Sequence, residues 1–147
     1  MFTIFHARKN RIPLYEKEKS YLFMRFSAHM EKNPEAMWLL AVNYRNVEWF
    51  WSPGMNAENG VMGCADPIRN AVYLMREPNV DIIEELHKGE KFDTFWLSNL
   101  FPIAVHELRH VWQYKRSPVI YTLLSLPGIR EISLEADAWA HTPGGRQ

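Results

Sequence analysis

The sequence predicts an α+β fold, mostly helical, with a small antiparallel or mixed β-sheet preceding one long active-site helix. Three observations carry this reading. Apolar residues recur at helical steps in Glu16 to Lys32. Short apolar and aromatic runs at Val47 to Trp51 and Ala71 to Arg76 are bounded by turn residues. A long periodic segment follows from Phe95 to Tyr114. The 147 residues suffice for one hydrophobic core and are too few for two, so 1–147 is read as a single domain.

The elements follow in order. Phe2 to His6 alternates weakly and predicts a short strand. In Glu16 to Lys32, Leu22, Phe23, Phe26 and Met30 form one apolar face, and Asn33-Pro34 ends the helix. Pro34 opens a second short helix, Glu35 to Val42, at the first-turn position that proline tolerates. Val47 to Trp51 predicts a strand closed by Ser52-Pro53-Gly54. Met55 to Pro67, with its glycines and asparagines, predicts a loop. Ala71 to Arg76 predicts a strand, broken at Pro78-Asn79, and Asp81 to Lys88 a short helix ended by Gly89. The central helix begins or kinks at Pro102. Another runs from Ser117-Pro118 to about Leu126, and a last one covers Arg130 to His141.

Composition narrows the function. Apolar residues make up 47% and charged residues 23%, the balance of an ordinary globular protein. The formal net charge is zero, which argues against nucleic-acid binding, since that needs a basic face. The single cysteine, Cys64, forbids an internal disulfide and a four-cysteine zinc site, and it reads as a small packed residue. The N-terminus lacks the layout of a signal peptide, and no apolar stretch approaches a membrane span. The expectation is a cytoplasmic protein with no membrane partner.

Residues 106–110 read His-Glu-Leu-Arg-His, the H-E-x-x-H pattern. At about 100° per residue, His106 and His110 lie roughly 40° apart, one turn above the other, and can share one metal ion. Glu107 falls about 60° to the side, near the metal but not bound to it. Ala104, Leu108, Val111 and Trp112 occupy the opposite side and should face the core. Gln113 and Tyr114 lie near the histidine stripe. His6, His29 and His87 have no partner at ligand spacing and read as surface or packing residues.

A catalytic zinc takes three protein ligands and keeps one position for water. A histidine at the end of a fixed H-x-x-G-x-x-H extension is excluded, because positions 113 and 116 are Gln113 and Arg116. The last helix offers Glu131 and Glu135. Glu135 is preferred, because Ala136 and Ala138 beside it permit close approach, whereas Glu131 in the first turn suits the helix dipole.

With His106-Glu107-Leu108-Arg109-His110-Val111-Trp112-Gln113 and Glu135-Ala136-Asp137-Ala138-Trp139-Ala140, the chain resembles the gluzincin clan of zinc metallopeptidases, in particular its minimal single-domain members. The resemblance covers about the last 40 residues. It implies a zincin-like domain and a Zn²⁺ cofactor held by His106, His110 and Glu135. It further implies Glu107 as general base and a peptide or protein substrate lying along an edge strand, for which Ala71 to Arg76 is the candidate. Many members carry an aspartate four residues after the ligand glutamate; here that position is Trp139. Tyr114, Tyr121 and His141 are candidate oxyanion donors. The competing expectation is a catalytically inactive zincin-like protein that binds or regulates a partner.

Overall fold

The computed structural model describes residues 4–53, 55, 62–75 and 95–143. Helices α1 (Ile4–Arg8), α2 (Glu16–Lys32) and α3 (Trp38–Val42), with strand β1 (Ile12–Pro13), come first. Strands β2 (Glu48–Ser52), β3 (Gly63–Asp66) and β4 (Ala71–Met75) follow, then α4 (Phe95–Arg116), α5 (Pro118–Leu124) and α6 (Ala136–Ala140). The α+β prediction holds: the chain is mainly helical with a small mixed sheet. No helix of the described residues is long and apolar enough to cross a membrane.

The helix α2 has its predicted bounds. At its start the Glu18 carboxylate accepts from the Tyr15 backbone N–H at 2.8 Å, the reciprocal arm of a capping box. The same carboxylate oxygen accepts from Trp51 Nε1 at 3.0 Å, so the cap also ties α2 to the sheet. Glu18 is buried, and these two donors satisfy its Oε1. Phe26 of α2 packs on Tyr44, Trp49 and Phe101, which joins helix, sheet and α4 into one core. Lys115 of α4 donates to the Val42 carbonyl at 2.9 Å, where α3 has run out of its own donors.

The strand order is β1-β2-β4-β3. β1 is antiparallel to β2, β2 parallel to β4, and β3 antiparallel to β4 with Gly63 opposite Leu74. Trp49 and Trp51 point to the buried side of β2, as expected of core aromatics. All five residues of β4 are buried, which is why its sequence is a continuous apolar run rather than an alternating one.

Several expectations require correction. Ile4–Arg8 is one helical turn, not part of a strand; five residues are too few for periodicity to choose, and the contact made by buried Ala7 decides. The predicted loop Met55 to Pro67 contains β3, whose pairing with β4 no local signal announces. The strand Ala71–Met75 is interior, paired on both sides, so it has no free edge for a substrate; among the described residues that edge belongs to β3. Helix α4 neither starts nor stops at Pro102 but continues from Phe95 to Arg116. The predicted helix Asp81 to Lys88 lies outside the described residues.

Candidate metal centre

Helix α4 presents the motif from its buried centre. Ala104, Leu108 and Val111 are fully buried against the core, and Trp112 packs at its margin, as the apolar-back pattern requires. That anchoring turns His106, Glu107 and His110 to one common side, all of them buried. The two imidazoles stand 5.0 Å apart between centroids and nearly perpendicular.

The third group arrives from the C-terminal segment. Residues Glu131–Glu135 form a single π-helical turn that leads directly into α6. Such turns are rare and concentrate at functional sites. Glu135 ends this turn with Oε1 3.6 Å from His106 Nε2 and Oε2 2.6 Å from His110 Nε2. One ligand atom from each of His106, His110 and Glu135 lies within 4.8 Å of the others. Of the two glutamates weighed from sequence, this is the one brought to the histidines.

The hydrogen bonds behind the cluster determine its electronic character. Gln113 Nε2 donates to Asp137 Oδ2 at 2.8 Å and to the Leu134 carbonyl at 3.0 Å. Both partners are acceptors, so the amide nitrogen faces them and Oε1 faces His110. His110 Nδ1, 2.9 Å from Gln113 Oε1, must therefore carry the proton. In the neutral ring, Nε2 then directs a lone pair toward Glu135. His110 Nε2 and Glu135 Oε2 stand 2.6 Å apart, and Nε2 bonds to the carboxylate only when the ring is protonated. At that distance the pair needs a positive charge between its members, supplied by a proton on Nε2 or by a bound cation. Tetrahedral zinc ligands at 2.0–2.1 Å stand roughly 3.3 Å from one another, and the 2.6 and 3.6 Å separations bracket that spacing. The donor set of two imidazoles and a carboxylate fits a divalent cation of the zinc type.

Without an ion, the charges respond as such a cluster should. Burial lowers the His110 pKa, but hydrogen bonding to Glu135 and the charges of Glu107 and Glu135 outweigh it and raise the value. Burial alone would raise Glu135; His106 and His110 overturn this and hold its carboxyl well below the usual range. Glu107 is raised by burial, only partly offset by His110 and His106. Glu107 also touches β3, where a Cβ placed on Gly63 would meet Ile103 Cγ2 at 2.7 Å and Glu107 Cγ at 3.0 Å. A residue with no side chain lets the edge strand lie directly against Glu107.

Four contributors escaped the sequence reading or changed role. Asp137, which an ideal helix would aim away from Glu135, orients His110 through Gln113. Arg109, inside the motif, is buried and donates to Asp137 through Nε at 2.8 Å while lying over the Trp112 ring at 3.7 Å. It clamps α6 to α4; a positive charge at the motif's fourth position was the available signal. Trp139 packs against His106 with ring centroids 4.1 Å apart and planes tilted by 42°. Arg130 went unnoticed, although its charge acts on Glu107, His110 and Glu135.

Of the candidate oxyanion donors, His141 is turned to Asp137 and Trp38, and Tyr114 packs edge-on against Tyr121. Tyr121 feels the charges of Glu107 and Glu135 and is the one facing the cluster electrostatically. A cavity of about 380 Å³ opens between α4, α5 and the π turn, lined in part by Trp112, Gln113, Tyr121 and Leu134; His106, His110 and Glu135 are not among its lining. Compared with known proteins, the chain matches no family model, no curated protein and no solved structure.

Proposed function

We propose that the chain is a zinc-dependent peptidase of the gluzincin kind, with His106, His110 and Glu135 as ligands and Glu107 as general base. One observation carries the reading: two imidazoles one helical turn apart and the Glu135 carboxylate bring one ligand atom each within 4.8 Å of one another, with the buried carboxylate of Glu107 in the same stretch of helix. A purely structural ion would not need that extra buried carboxylate, which speaks against the inactive-binder alternative.

A bound zinc ion supplies Lewis acidity, lowering the pKa of a water from 15.7 toward roughly 7 and polarising a carbonyl oxygen. The protein's own groups do the rest. Glu107, its pKa raised by burial, takes the water's proton and returns it to the leaving amine. An extended peptide adds along β3, whose outer edge carries unpaired backbone groups among the described residues, and Gly63 brings that edge against Glu107. Tyr121 accepts a hydrogen bond from Arg130, so its own proton is left to donate to a developing oxyanion.

The test combines metal content with turnover. Mass spectrometry should find one zinc per chain, absent from His106→Ala, and a mixed peptide library should be cleaved by the wild type alone. Zinc-loaded protein that cleaves no peptide or protein overturns the peptidase reading and leaves a binding role.

A further inference from the structure

Among the described residues Arg130 has no anionic hydrogen-bond partner, although its charge acts on Glu107, His110 and Glu135. It is partly buried, and its Nη1 lies 3.4 Å from Tyr121 Oη and 3.4 Å from Ser125 Oγ, both neutral hydroxyls at long range. Among the described residues it makes no ion pair. The contrast with Arg109, held by Asp137 at 2.8 Å, is plain. A partly buried guanidinium normally secures a carboxylate, because its five donors match that geometry.

The π turn explains why this cation faces the metal ligands. In an α-helix, residues five apart point about 140° from one another. Hydrogen bonding at i→i+5 widens the turn to roughly 4.4 residues and reduces that angle to about 50°. Arg130 precedes the π turn and Glu135 ends it, so both side chains are carried to one side. A divalent ion would balance the charges of Glu107 and Glu135, and Arg130 would remain as one uncompensated positive charge in the cleft.

We infer that Arg130 forms a subsite for a carboxylate of the substrate, supplied by a peptide C-terminus or by an Asp or Glu side chain. This deepens the peptidase reading and rests on it. The carboxylate would take the bidentate bond that the two hydroxyls provide only weakly. Substrate would then be held at two points, the β3 edge and Arg130, with the scissile bond fixed between them.

The experiment uses the full chain loaded with Co²⁺, whose visible spectrum reports on the metal without turnover. Titration with N-acetylglycine should perturb the spectrum at least ten-fold more tightly than N-acetylglycinamide. That preference should vanish in Arg130→Gln and persist in Arg130→Lys. Equal binding of acid and amide to the wild type overturns the subsite while leaving the metal centre intact. A chain that takes up no cobalt overturns the metal centre and the subsite with it. Binding of four peptides to the zinc-loaded Glu107→Gln variant, pairing a free or amidated C-terminus with an internal Glu or Gln, separates the two carboxylate sources. Equal binding of all four peptides overturns the inference.

Discussion

His110 Nδ1 donates to Gln113 Oε1 at 2.9 Å, and this bond decides that Nε2, not Nδ1, faces Glu135. Asp137 and the Leu134 carbonyl hold the amide in the orientation that makes it an acceptor there. Replacing Gln113 with Leu removes the acceptor and frees the tautomer. Zinc affinity, measured by chelator competition, should fall about 10- to 100-fold, the usual cost of losing an outer partner of a ligating histidine. Unchanged affinity would mean that packing alone orients the ring.

Glu107→Gln tests the base. The amide keeps the shape of a buried side chain but cannot accept the proton, so zinc content should stay at one per chain while kcat falls by about 10²- to 10⁴-fold. Full activity in this variant would reassign the base.

Gly63→Ala tests the contact between β3 and α4. The added Cβ would lie 2.7 Å from Ile103 Cγ2, so strand or helix must shift. The expected loss is about 1–3 kcal/mol in denaturant unfolding, with reduced turnover from displacement of Glu107. A variant as stable and active as the parent would show that β3 does not lie tightly over the base.

Arg109→Met tests the clamp between α4 and the C-terminal segment. The side chain is buried, but Asp137 is about one third exposed, so solvent screens part of the pair. A loss of about 2 kcal/mol is expected, below the cost of breaking a fully buried pair. Because Asp137 also holds Gln113, zinc affinity should weaken in the same variant. Loss of stability with no change in zinc affinity would separate the two roles of Asp137.

Cys64 tests the negative field of the metal-free cleft. Burial, then the charges of Glu107 and Asp66, push its thiol up to about 12. At pH 8 the thiolate fraction is therefore small, and iodoacetamide should modify the folded, metal-free chain at least about 100-fold more slowly than the denatured one. Equal rates would place Cys64 in open solvent.

How much of this was legible in the sequence depends on the range of the interaction involved. His106, Glu107 and His110 follow from spacing alone, because residues three and four apart share a helix face whatever surrounds them. The bounds of α2 and the apolar back of α4 follow for the same reason. Glu135 was reachable through the small residues around it, although the π turn that presents it was not. β3 escaped because a glycine-bearing strand has no local signature; Gly63 is explained only by the approach of Ile103 and Glu107 from another element. The interior place of β4 escaped likewise, since strand order is set by pairing across the chain.

By itself, then, the sequence determined that His106, Glu107 and His110 share one face of one helix, and the class of fold around it, since both rest on contacts between near neighbours in the chain. The tertiary structure alone decided which strand borders Glu107 and which ring nitrogen of His110 meets Glu135. It also decided that Arg130 turns toward the cluster. Those outcomes depend on groups tens of residues apart, whose meeting no local pattern encodes.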